Sequence, residues 1–262
     1  MGNFDKLVEI MARLRGEDGC PWDREQTRRS LTPYILEEAY ELIEAIDEDN
    51  PEKIREELGD LLLQIVFQAQ IGKDRGEFDM EDVARTINEK LIHRHPHVFG
   101  EAVFDTADAV MRQWEERKRE EGKHKESVME GVPRELPALL RAHRIQSRAA
   151  RVGFDWKQTN EVIAKLEEEL SEFRDALDAK DQAKIEEELG DVLFSIVNVS
   201  RFVKVNPEDA LRKTISRFVS RFHYVEKRAA ETGRNLAQMT LDQMDDLWKE
   251  AKAAGEEGSG SG

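Results

Sequence analysis

Glu56-Glu57-Leu58-Gly59-Asp60-Leu61-Leu62 returns 131 residues later as Glu187-Glu188-Leu189-Gly190-Asp191-Val192-Leu193. The same shift carries Glu37-Glu38-Ala39-Tyr40-Glu41 onto Glu168-Glu169-Leu170-Ser171-Glu172. Farther out, Trp22 pairs with Trp156 and Trp114 with Trp248, each 134 apart, while Lys90-Leu91 with Arg94 matches Arg217-Phe218 with Arg221 at 127. The features keep their order while the shift drifts by a few residues. Duplication followed by small loop insertions leaves that pattern.

Caps and apolar spacing predict helices throughout. Thr32 with Pro33 opens one through about Asp47, Asn50 with Pro51 another to near Gly72, and Asp79 a third toward His95. A fourth is predicted over 107–121, and the second copy gives counterparts over 159–179, 181–204, 207–231 and 240–254. No stretch alternates as a strand does. The expected fold is all-α, two tandem bundles of four or five helices each. The expected boundaries are 1–121 for the first domain, 122–136 for a charged linker, 137–254 for the second domain and 255–262 for a flexible Gly/Ser tail. Ten of the twelve residues over 115–126 are charged, which suits a solvated helix end running into that linker.

Composition narrows the function classes. A formal charge of −16 opposes nucleic-acid phosphates and anionic lipid alike, so neither is an expected partner. Cys20 is the only cysteine, which excludes an intrachain disulfide and a Cys-rich zinc site. No apolar run approaches a membrane span and Met1–Lys6 lacks a signal-peptide core, so the expected setting is the cytoplasm.

The chemistry lies in misplaced acids. The helix from Ile54 to Ile71 is apolar around most of its circumference, and its narrow polar strip holds Glu57, Asp60, Gln64 and Gln68. A helix of that kind is expected to be buried. The second copy repeats the strip with Glu188, Asp191 and Ser195. On the preceding helix, Glu38 and Glu41 sit one turn apart beside Ile35, Ala39, Leu42 and Ile46, and Glu169 and Glu172 repeat them. An antiparallel hairpin brings each set of four carboxylates together. Uncompensated, each buried charge costs several kcal/mol, so either the acids are protonated or cations neutralise them. A cluster of oxygen donors without Cys or His selects Mg²⁺ or Mn²⁺, and Mg²⁺ commonly takes phosphate oxygens as further ligands.

Glu-Glu-x-x-Glu followed by Glu-x-x-Asp on the next helix resembles the MazG nucleoside triphosphate pyrophosphohydrolases, of the all-α NTP pyrophosphatase superfamily. Gly19-Cys20-Pro21-Trp22-Asp23, Arg94-His95-Pro96-His97-Val98-Phe99 and the tandem arrangement extend the likeness over nearly the whole chain. The resemblance implies Mg²⁺-dependent conversion of a (d)NTP and water to (d)NMP and diphosphate, usually by a homodimer. It implies metal ligands at Glu169, Glu172, Glu188 and Asp191, with first-copy counterparts at Glu38, Glu41, Glu57 and Asp60. It further implies nucleotide contacts at Lys165, Glu168, Lys184, Arg217, Arg221 and Trp248, matched in the first copy by Lys53, Lys90 and Arg94. Glu168 or Glu169 is the candidate to take a proton from the attacking water. Tyr34 stands where the second copy has Lys165, and Lys90 where it has Arg217. The second copy is therefore the expected principal active site. The alternatives are a non-catalytic nucleotide or metal sensor, a helical scaffold, or a narrower dUTPase-like enzyme.

Other motifs carry less. There is no P-loop, the acid-bearing helices carry Glu-x-x-Asp where a di-iron bundle wants Glu-x-x-His, and Cys20 lacks a clear base partner. His93, His95 and His97 cluster around Pro96 without further zinc-type partners at a recognisable spacing, which favours a helix-end role.

Overall fold

A computed structural model describes residues 2–100 and 127–258, with the isolated positions 102, 106, 110, 113 and 117 between them. The helix expected over 107–121, Trp114 and most of the charged run lie outside the described residues. The chain divides into two compact units, Met1–Lys123 and His124–Gly262. Among the described residues every regular element is helical.

The first unit contains α1 (Asn3–Leu14), α2 (Pro21–Glu25), α3 (Thr32–Asp47), α4 (Pro51–Asp74), α5 (Met80–Arg94) and α6 (Pro96–Phe99). The second contains α7 (Ala138–Arg151), α8 (Thr159–Ala179), α9 (Gln182–Phe202), α10 (Pro207–Glu231), a 3₁₀ turn at Leu236–Gln238 and α11 (Leu241–Gly258). Asn50 caps α4 as expected, its side chain accepting from the amides of Glu52 at 3.1 Å and Lys53 at 3.3 Å. Asp79 caps α5 in the same way. Thr32 differs from expectation. It lies inside the first turn of α3, and its hydroxyl turns back to the Arg28 carbonyl at 3.4 Å. Helix α11 runs through Gly258, past the Gly255 at which the tail is expected to begin. Once a helix is running, each further residue adds a hydrogen bond without a new nucleation cost.

The duplication extends to the backbone. Asp49, between α3 and α4, and Lys180, between α8 and α9, both adopt left-handed geometry at φ 51° and 54°. In each turn the following amide returns to the helix, Asn50 to the Ala45 carbonyl at 3.2 Å and Asp181 to that of Ala176 at 3.3 Å. This tight closure makes α3/α4 and α8/α9 antiparallel hairpins.

In the first unit Met11, Leu31, Val66, Phe67 and Ile71 form the core, with Leu7, Leu14, Leu62 and Met80 packed against them. Arg15 ties the surrounding loop down. Its guanidinium stacks 5.4 Å from the Phe67 ring centre and pairs with Asp74 at 2.7 Å. In the second unit Val162, Ala176, Val192, Val197, Val225 and Ala229 are buried, and Arg201 pairs with Asp155 through both terminal guanidinium nitrogens. The expectation that the acid-bearing helices are buried all round is not met. Leu58 is 51% exposed on α4, and Leu189, Leu193, Phe194 and Ile196 on α9 are each between 45% and 47% exposed. Each unit has too few helices to cover the whole circumference, so one face of each acid-bearing helix is left apolar and open.

Candidate metal and nucleotide site

Residues three or four apart share a helix face, so Glu38 and Glu41 project together from α3. The hairpin turn sets Glu57 of α4 opposite them. One carboxylate oxygen from each of Glu38, Glu41 and Glu57 lies within 4.8 Å of the others, and Glu169, Glu172 and Glu188 repeat the arrangement. Among the described residues these are the two clusters of metal-type donors. Asp60 and Asp191 stand just outside the tight groups, although the fourfold pattern in the sequence includes them. Their charge still reaches in, adding to the upward shifts of Glu38 and Glu188.

Glu169 and Glu188 are each only 7% exposed, whereas Glu41 and Glu172 sit at the open rim. Burial first, and then the charges of Asp60 and Glu41, hold the Glu38 carboxyl above the ordinary glutamate range. Glu57 is raised by burial and then by Glu41. Glu188 is raised by burial and then by Glu172, with Lys184 opposing. In each case crowded negative oxygens disfavour a further negative charge.

The two sites differ in their cations. In the second repeat, Lys165 places its ammonium 2.8 Å from Glu168 and 3.0 Å from Glu169, and these bonds hold its pKa above the ordinary lysine value. Lys184 reaches Glu188 more loosely, at 3.9 Å. In the first repeat, Lys53 turns away from the cluster to Glu48 at 2.6 Å. Tyr34, in the place of Lys165, instead meets Trp22 edge-on, with ring centres 6.1 Å apart. That aromatic contact has no signature in the acid motifs, because Trp22 comes from α2.

The remaining expected contacts form a separate group on α10 and α11. Arg221 lies over the Trp248 ring, 5.9 Å from its centre, and Phe218 packs 5.0 Å from the same ring. Arg217 accompanies them on the exposed face of α10 and donates to Thr214 at 2.9 Å. Lys90 is exposed on α5, and Arg94 is half-buried at the end of that helix. The histidines act at a helix boundary, His95 being both the last cap of α5 and the first of α6, with Nδ1 2.7 Å from the Leu91 carbonyl.

The donor sets fit a hard divalent cation. They are all oxygen and carry excess negative charge. Oxygens on an octahedral Mg²⁺ stand about 3.0 Å apart when adjacent and about 4.2 Å when opposite, and the three donor oxygens of each cluster already lie within 4.8 Å of one another.

The model of the MazG nucleotide pyrophosphohydrolase domain matches the chain twice, at residues 26–99 and 157–225, and each match contains one glutamate cluster. The chain belongs to the MazG family. Relatives extend over the same length. A Thermotoga maritima protein named nucleoside triphosphate pyrophosphohydrolase/pyrophosphatase MazG is 51% identical, the alignment covering 97% of each chain. An Escherichia coli K12 protein named nucleoside triphosphate pyrophosphohydrolase is 43% identical over 96% of this chain and 98% of its own. The uncharacterized protein YabN of Bacillus subtilis is 45% identical over 95% of this chain but only 51% of its own length. The chain is thus a tandem MazG hydrolase, and the family brings with it dependence on a divalent metal.

Proposed function

We propose that this MazG hydrolase converts (d)NTPs to (d)NMP and diphosphate with Mg²⁺, or Mn²⁺ in its place, and that the second repeat performs most of the turnover. The observation that carries this reading is the difference in counter-charge between two otherwise matching glutamate clusters. Glu169, Glu172 and Glu188 have Lys165 and Lys184 beside them, whereas Glu38, Glu41 and Glu57 have neither equivalent in place.

In this reading Glu169, Glu172 and Glu188, with Asp191, hold the ion of the second site, and Glu38, Glu41 and Glu57, with Asp60, hold that of the first. The ion supplies screening of the triphosphate and a more acidic water. The chain supplies the rest. Lys165 and Lys184 turn from carboxylate to phosphate oxygen as substrate enters, exchanging one charge-assisted hydrogen bond for another. Glu168, exposed and held by Lys165, takes the proton of the attacking water once that lysine has moved. Arg217 and Arg221 hold outer phosphate oxygens, and Trp248 offers its ring to the base. In the first site Lys53, Lys90 and Arg94 are the corresponding cations.

The open apolar faces support a homodimer. Leu189, Leu193, Phe194 and Ile196 continue a helix that also carries buried ligands, and a second copy of the chain would cover them. No helix among the described residues is long and apolar enough to cross a membrane, which is compatible with a cytoplasmic enzyme. We place the repeats at 1–121 and 137–254, joined by 122–136.

Product analysis tests the reaction. Incubation with NTP and Mg²⁺ should yield diphosphate and NMP, and EDTA should stop it. Orthophosphate with NDP would identify a different hydrolase, and unchanged NTP a sensor.

A further inference from the structure

The first repeat contains a buried acceptor that no described residue satisfies. Gln64 of α4 is 8% exposed, and its Oε1 is enclosed without a hydrogen-bond partner. An orphaned amide oxygen of this kind costs about 1–3 kcal/mol, and the core offers no structural return for it. Gln64 also lines a cavity of about 210 Å³, in company with Ile35, Leu61, Gln68, Phe78 and Val83 among others. Apart from the two glutamines that lining is apolar. The volume is below the roughly 300–1,000 Å³ of pockets for drug-sized ligands, and it suits one heterocycle.

Its position is specific. Ile35 lies one turn before Glu38 on α3, while Leu61 and Gln64 directly follow Asp60 on α4. The cavity therefore occupies the next turn of the same antiparallel groove as the Glu38–Glu41–Glu57 cluster. At 1.5 Å per residue, Gln64 is about 6 Å beyond Asp60 and about 10 Å beyond Glu57 along the helix. That is the span from a metal-held phosphate across a ribose to its base. The walls are fixed. Gln68 donates to the Arg28 carbonyl at 3.2 Å, and the Arg28 guanidinium lies 5.0 Å from the Phe78 ring centre. The second repeat lacks these amides, having Ser195 and Val199 at the corresponding positions.

We propose that Gln64 is the base-recognition residue of the first repeat, its side chain turning so that the enclosed Oε1 accepts an N–H from the edge of a nucleobase seated in this cavity. The inference rests on the reading of the Glu38–Glu41–Glu57 cluster as the holder of metal-bound phosphates. It makes the first repeat a site that distinguishes nucleotides by base, and Gln64 a specificity residue that touches the ligand.

The test uses the full chain with the second cluster disabled by Glu169→Gln and Glu188→Gln. Calorimetry with Mg²⁺ compares α,β-methylene analogues of ATP, GTP, CTP and UTP with inorganic tripolyphosphate, which has no base. The preferred nucleotide should bind at least about tenfold more tightly than tripolyphosphate, since a satisfied buried acceptor is of that worth. Adding Gln64→Leu should remove that advantage, level the differences among bases and leave tripolyphosphate unaffected. The same substitution should raise the melting temperature of the ligand-free protein, because the orphaned oxygen is gone. Equal binding of nucleotide and tripolyphosphate overturns the proposal. So does Gln64→Leu with a lowered melting temperature and unchanged nucleotide affinity, which would mark Gln64 as structural. Failure of tripolyphosphate and every nucleotide to bind would refute the phosphate-site reading of this repeat, and the base pocket with it.

Discussion

Glu169→Gln is the substitution that separates the two repeats most sharply. Glutamine keeps the shape of a side chain that is 7% exposed and removes one of three crowded negative oxygens. Lys165 retains its bond to Glu168 at 2.8 Å, so no cation is stranded. The metal-free variant should therefore melt no lower than the wild type. With Mg²⁺ and a non-cleavable nucleotide at 100 times the wild-type dissociation constant, linkage stabilises the folded protein by about 2.7 kcal/mol. If losing one charged ligand weakens the site about 10- to 100-fold, the loss that even a partner of a metal ligand commonly causes, the same ligand concentration supplies only about 0.4–1.4 kcal/mol. At about 2–4 °C per kcal/mol for a domain of this size, a melting shift of about 5–11 °C contracts to about 1–6 °C. Turnover should fall at least about 100-fold. Calorimetric melts and diphosphate release measure both, with Glu38→Gln run in parallel and expected to keep most of the turnover. A Glu169→Gln protein that retains its full Mg²⁺–nucleotide shift would refute the assignment, as would equal loss of turnover in both variants.

Lys165→Met should lower turnover about 100-fold while tightening uptake of Mg²⁺ alone, because a competing cation leaves the cluster; weaker metal binding in titration would contradict its placement. Gly72→Ala should destabilise by about 1–3 kcal/mol, since the new methyl would lie 2.9 Å from the Phe78 ring and 2.7 Å from its carbonyl oxygen. Gly59→Ala meets nothing within 4 Å and should stabilise by about 1 kcal/mol through helix propensity, so denaturant melts giving the reverse order would disprove this account. Burial, followed by the charges of Arg201 and Arg144, holds His143 below the ordinary histidine range. The unfolded chain thus binds that proton more tightly than the folded one. The stability this provides is fully present above about pH 6.5 and drains away as pH falls through the lowered folded value. His143→Gln should flatten melting temperature against pH over that interval, and an unchanged slope would assign the dependence elsewhere.

The hairpins and their acids were legible because duplication printed the same caps, turns and carboxylate spacing twice. Helices α8 and α10 begin and end where periodicity and caps place them. Helices α1 and α7 received no explicit placement, although Leu7, Val8, Met11 and Leu14 show the apolar spacing that could have revealed α1. Three glutamates of each motif meet, while Asp60 and Asp191 stand back, since the radius of a cluster depends on side-chain rotamers that spacing does not specify. Lys53 and Lys184, at matching positions, take opposite directions because the first repeat offers Glu48 where the second has Ala179. Gln64 was visible only as a polar member of a greasy strip; its unmet hydrogen bond emerges when α3 and Phe78 close over it.

The ammonium of Lys165 already pairs with Glu169, one of the proposed ligands of the ion. Bare magnesium therefore has to evict a tenant, and the eviction is easier when phosphate oxygens stand ready to receive the displaced charge. Ion and substrate should accordingly strengthen one another's attachment by the same factor, as reciprocity demands. On the same reading the other repeat, where Lys53 is turned to Glu48, should load its ion first without displacing a lysine.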